Sequence, residues 1–222
     1  MKSSVVGVLK RIRVMFIPYL VILAACLAFS ALYTRTQIYF EINSWHFAFG
    51  DTFFALWTNM GDGITCVIIA LLLLIINYRW GFLMATTYVL TSLIAQSLKF
   101  MFEAPRPVIY FKDQASRMYL VKGVEMLETH SFPSGHSVSA FAMAVVLTYI
   151  TPKKGWGILF LFTALLTAYS RVYLSEHFFE DVTAGSALGV FVTVFWIRWI
   201  DSKPFLHSKK WDRGLLDRSK NQ

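Results

Sequence analysis

Three short stretches of the 222-residue chain carry groups suited to an anion: Lys99 and Arg106 in KFMFEAPRP (99–107), Ser134, Gly135 and His136 in PSGH (133–136), and Arg171, His177 and Asp181 in SRVYLSEHFFED (170–181). A guanidinium matches phosphate oxygens two at a time, and a lysine adds a point charge. A helix opening after Gly135 presents free backbone N–H groups with a favourable dipole. His177 and Asp181 are four residues apart and share one face of a helix starting near the histidine. The carboxylate there fixes the ring tautomer and leaves the other nitrogen as a nucleophile. His136 has no acid within one helical turn, so it is the group to be protonated beside a substrate anion and to act as general acid. The acids nearby, Glu176, Glu180 and Asp181, come mostly from one segment, whereas magnesium-dependent phosphoryl enzymes gather carboxylates from several. Neither a metal nor a cofactor is expected. Taken singly, each group has a plainer explanation: Lys99 and Arg106 as snorkelling cations, His136 as an interfacial histidine, Arg171 and Asp181 as an ion pair between helices. Taken together they form a cradle for a tetrahedral oxyanion.

The elements that must position these groups are apolar. The chain is 56% hydrophobic and contains runs of about 20 residues, the length a helix needs to cross a bilayer. Six such spans are predicted, at about 15–33, 55–78, 80–102, 134–150, 156–173 and 179–199, giving an all-α bundle in one membrane domain over 1–222, with a basic tail over 200–222. Lys10, Arg11 and Arg13 before the first run also fit a signal peptide, but its apolar core is longer than the usual ~7–15 residues, so it is read as a retained helix. Placing the N-terminus in the cytoplasm puts fourteen of the 21 Lys and Arg residues on that side, Lys2 and Lys220 included. Both termini are then cytoplasmic in the inner membrane. All three polar stretches face outward, toward the periplasm or exterior. The net charge of +8 is spread over membrane-flanking segments and forms no stripe for nucleic acid; anionic headgroups are its partner. The tail is read mainly as a solvated end that fixes topology. The tryptophans fall at or beside span ends, and Cys26 and Cys66 inside spans show no disulfide or metal spacing.

In order and spacing, Lys99 with Arg106-Pro107, then Pro133-Ser134-Gly135-His136, then Ser170-Arg171 with His177 and Asp181 resemble the three motifs of the type 2 phosphatidic acid phosphatases, also called lipid phosphate phosphatases. No motif departs from the family pattern. The resemblance implies phosphorylated or pyrophosphorylated lipids as substrates, with undecaprenyl pyrophosphate, phosphatidylglycerol phosphate, phosphatidic acid and lipid A phosphate as candidates. It also implies attack by His177 to form a phosphohistidine, orientation by Asp181 and protonation of the leaving oxygen by His136. Lys99, Arg106, Ser134, Gly135 and Arg171 would hold the phosphate oxygens. Asp62 is expected either to pair with one of these cations or to mark a misplaced span boundary, and His130 either touches a headgroup or is a plain loop residue. The loop over residues 103–133 is either a cap over the site or a solvated connection. A phosphotransferase using the same site, and a non-enzymatic binder or transporter of phosphorylated lipids, are the competing readings. Nothing in the sequence indicates an oligomeric state.

Overall fold

A run of apolar residues with caps at both ends has one way to satisfy its backbone in lipid, and every long element takes it. The computed structural model describes residues 4–218, which contain ten α-helices and no strand. Helix α1 (Val5–Leu32) opens on Ser4, whose hydroxyl accepts from the Gly7 N–H. It starts ten residues before the predicted span because Lys10, Arg11 and Arg13 are compatible with helix and only unwelcome in lipid. Two short helices follow that hydrophobic runs alone do not reveal. α2 (Arg35–Asn43) is started by a capping box between Thr34 and Gln37, and α3 covers Ala48–Trp57.

The span expected over 55–78 is not continuous. α3 passes through a 3₁₀ turn at Thr58–Gly61 into α4 (Gly63–Ile76), and the two α-helical segments are bent by 54°. The break sits in the sequence Gly61-Asp62-Gly63, where the Asp62 carboxylate accepts from the Ile64 N–H at 2.8 Å and starts a new helix. Gly61 is pressed against neighbours: a Cβ there would lie 2.7 Å from the His136 carbonyl oxygen.

α5 (Tyr78–Phe102), α6 (Pro107–Tyr110), α7 (Gly135–Ile150), α8 (Trp156–Tyr173), α9 (Phe179–Ile200) and α10 (Leu215–Arg218) complete the order. Four helices, α1, α5, α8 and α9, are long and apolar enough to cross a membrane, or five spans if the bent α3–α4 pair counts as one. α7 has 16 residues and is apolar but falls short of that length. It is the central helix, packed among α5, α8 and α9 and buried on nearly all sides, so it presents little surface to lipid.

Two glycines let α9 touch α7 through the backbone. A Cβ on Gly185 would lie 2.6 Å from the Ser134 carbonyl oxygen, and one on Gly189 would lie 2.5 Å from that of Val138. The opposite end of the bundle is closed by Asp201, which accepts both guanidinium bonds of Arg79 (2.7 and 2.6 Å) and the Tyr149 hydroxyl (2.7 Å). Lys154 there donates to three carbonyl oxygens at the end of α7. The described part of the basic tail folds back on this end: Leu206 is fully buried, and Trp211 packs edge-on to Phe82 and Phe205. The Arg213 and Trp211 carbonyls accept from the backbone of Tyr78 and Arg79. Lys2 and Lys220 lie outside the described residues.

Candidate active site

The end of the bundle away from Asp201 gathers the C-termini of α5 and α8 with the N-termini of α4, α7 and α9. Ser134 caps α7, its hydroxyl accepting from the Ser137 N–H, while its own N–H donates to the Asp181 carbonyl oxygen at 3.0 Å. Ser134 is wholly buried, so the N–H groups offered to a ligand are those of the first turn beginning at Gly135. The Lys99 ammonium lies over that turn, 3.8 Å from where a Gly135 Cβ would be.

His177 lies between α8 and α9 and is 1% exposed. Burial holds its pKa well below the ordinary histidine value, and Arg171, Arg106, Lys99 and His136 push in the same direction. The ring is therefore neutral and retains a free lone pair at physiological pH. Its Nδ1 faces the Asp181 carboxylate at 3.6 Å, longer than a hydrogen bond. The gap is filled by Ser131, whose hydroxyl donates to Asp181 Oδ2 at 2.6 Å and lies 3.5 Å from Nδ1. The Phe178 N–H also donates to that oxygen, at 2.9 Å. This arrangement leaves Nε2 as the nitrogen directed away from the carboxylate. Ser131→Ala is expected to leave Asp181 one hydrogen bond short, a loss of about 1–3 kcal/mol that reads as about 10- to 100-fold in kcat with KM nearly unchanged. Steady-state kinetics at saturating substrate measure it.

Arg171 does not make the ion pair with Asp181 that was its plainer explanation. Its Nη1 donates to Thr58 at 2.8 Å, and its Nη2 contacts Glu176 Oε2 at 3.2 Å. Arg106 donates to the same Oε2, to the Glu176 carbonyl oxygen at 3.1 Å and to that of Thr129 at 2.9 Å. The cause is the turn after α8. Ser175 sits at φ 59°, in the left-handed region, and its hydroxyl accepts from Tyr39 at 2.9 Å and Asn43 at 3.1 Å. That turn brings the Glu176 and His177 N–H groups onto the Arg171 carbonyl oxygen (3.0 and 3.2 Å) and swings Glu176 inward. One donor is left over: Arg171 Nε is buried with no hydrogen-bond partner among the described residues.

The half-buried His136 stands on the first turn of α7, within electrostatic range of Arg171, Asp62, Lys99 and Arg106. Asp62 thus serves as a helix cap beside the cluster, its charge reaching His136 and Arg171. His130 is not drawn in: its ring packs edge-on to Phe100 and its Nδ1 faces Thr129. Residues 103–133 are largely exposed but anchored at two points. Phe111 is buried among Tyr39, Phe40 and Phe178, and Asn43 exchanges two hydrogen bonds with the Tyr119 backbone.

Ser131, Thr58 and Glu176 are the site residues that spacing did not reveal. Ser131 and Thr58 belong to no periodic pattern, and Glu176 reads as one more acid in an acidic stretch. The only sequence sign is that Glu176 directly precedes the histidine. Among the described residues, no group of three or more His, Cys, Asp or Glu side chains is gathered as a metal ion requires.

The sequence profile of the PAP2 superfamily matches residues 80–204, the segment holding all seven of Lys99, Arg106, Ser134, His136, Arg171, His177 and Asp181. Over 165 residues the chain is 28% identical to a lipid A 4'-phosphatase of Bacteroides thetaiotaomicron, an alignment covering 70% of this chain and 72% of that protein. The crystal structure of Aquifex aeolicus LpxE superposes with a TM-score of 0.65 at 26% identity, over 73% of this chain and 94% of that one. A transmembrane PAP2-type phosphatidylglycerolphosphate phosphatase from Bacillus subtilis superposes with a TM-score of 0.62 at 25% identity, over 89% and 99% of the two chains.

Proposed function

The chain belongs to the PAP2 superfamily, and from that premise we propose that it is a membrane phosphatase that removes phosphate from mono- or diphosphate esters of lipids through a phosphohistidine. In the proposed first step His177 Nε2 attacks phosphorus. The N–P bond forms as the bond to the lipid oxygen breaks, and the leaving oxygen takes a proton from His136. Asp181, with Ser131, holds Nδ1–H and offsets the positive charge that develops on the ring. In the second step water attacks phosphorus, gives its proton to His136, and the N–P bond breaks to release inorganic phosphate. Lys99, Arg106, Arg171 and the α7 N-terminus hold the equatorial oxygens throughout, so the rate enhancement comes from positioning and electrostatics. The observation that carries this reading is the buried Arg171 Nε, without a hydrogen-bond partner among the described residues, close to a His177 ring whose Nδ1 faces Asp181.

The proposed topology has six spans, with α7 counted as the short central one and α3–α4 as one bent span. Both termini lie in the cytoplasm and the site opens on the outer face. Arg11, Arg79, Lys154 and Lys203 at the Asp201 end support that orientation. The named activities of the relatives make lipid A phosphate and phosphatidylglycerol phosphate the first substrates to assay, alongside phosphatidic acid and undecaprenyl pyrophosphate. The test is phosphate release from that panel by purified protein, with and without a chelator. Turnover of at least one lipid, unchanged by chelation, is expected. No turnover, or activity that vanishes with chelation and returns with a metal ion, would sink the proposal.

A further inference from the structure

Two of the three cations assigned to the substrate are already occupied. Arg106 and Arg171 converge on one oxygen of Glu176, a side chain only 4% exposed, as two donors would on one phosphate oxygen. The backbone bearing that carboxylate is pinned by Ser175 and by the Arg171 carbonyl oxygen, so the carboxylate is carried into the arginine pair by the turn itself. The two arginines that hold this carboxylate are also cations whose charge reaches the His177 ring. We infer that Glu176 is a resident counter-anion of the oxyanion cradle: its carboxylate fills the arginine pair when the site is empty, yields to the phosphoryl group, and returns to displace inorganic phosphate.

The inference rests on the phosphatase reading and extends it to product release. A cradle of three cations without an internal anion would retain phosphate strongly, because charge-assisted hydrogen bonds are the strong ones. It would also leave two buried guanidinium groups unpaired between turnovers, which destabilises a fold severely. Glu176 relieves both problems at the expense of some ground-state affinity for substrate, a loss that does not slow the enzyme once substrate is saturating.

The experiment uses the full chain in detergent as wild type, Glu176→Gln and Glu176→Asp, with inorganic phosphate as the probe. The glutamine variant is expected to bind phosphate at least about tenfold more tightly as an inhibitor, with KM and kcat both lowered as release becomes limiting. Its melting temperature is expected to be below wild type in phosphate-free buffer and to rise more than wild type's as phosphate is added. Glu176→Asp keeps the charge one methylene short of the arginines, and its phosphate inhibition constant is expected to fall between those of wild type and Glu176→Gln. A phosphate inhibition constant unchanged or weakened in Glu176→Gln would show that Glu176 merely braces the arginines and would overturn the inference. So would a glutamine variant that stays unfolded at saturating phosphate. If wild type hydrolyses no lipid phosphate, the functional reading fails, and the melting arm still decides the role of Glu176 by itself.

Discussion

His177→Ala is expected to lose at least about 10⁴-fold in kcat, because a nucleophile removed from a unit of cooperating groups takes most of the unit's effect with it. Phosphate should still raise the variant's melting temperature, since the arginines, Lys99 and the α7 N-terminus remain. The accompanying measurement is a rapid quench with lipid labelled in its phosphate. Wild type should carry acid-labile label on protein during turnover, and the variant none. Activity within tenfold of wild type would mean that some other group attacks phosphorus. His136 is less suited to that role, because among the described residues no carboxylate lies as close to its ring as Asp181 does to Nδ1 of His177, at 3.6 Å.

Arg171→Lys should cost about 10³-fold in kcat/KM, the lower end of what a transition-state arginine contributes, although the charge is kept. Arg171 donates from Nη1 to Thr58, contacts Glu176 through Nη2, and keeps a buried Nε with no hydrogen-bond partner among the described residues. A lysine supplies one ammonium and cannot reach all three. The same substitution should lower the melting temperature, because Thr58 and Glu176 each lose a buried partner. Kinetics and thermal melts on one preparation check both. A lysine variant within threefold of wild type would show that the site needs only the charge at this position, and the fork geometry would carry no catalytic weight.

The long elements were legible because their signals are local. α8 occupies the span predicted over 156–173, and α9 departs from 179–199 by one residue. At 55–78 the apolar run from Ile64 masked a local signal, the Asp62 cap between Gly61 and Gly63, which starts a new helix. Local signals fail at α2 and α3, which are too short and mixed to announce themselves. The cluster of cations and histidines was legible as an inventory at helix ends. Its wiring was not. Arg171 takes Glu176 rather than Asp181 because Ser175 adopts a left-handed conformation held by Tyr39 and Asn43, from a helix more than 130 residues earlier in sequence. Ser131 enters for a similar reason: it reaches Asp181 from a different segment, and spacing arguments connect only residues that share an element.

The backbone contact between α7 and α9 bears on which substitutions the bundle can absorb. One helix carries the proposed proton donor near its start, and the other carries the carboxylate that orients the nucleophile. The two are separated by no side chain at Gly185 or Gly189. The distance between acid and nucleophile is thus inherited from main chain, and the apolar residues on the lipid-facing surfaces do not enter it. Substitutions on those outer surfaces are expected to leave the chemistry in register. Two positions without a Cβ let the rest of the bundle vary.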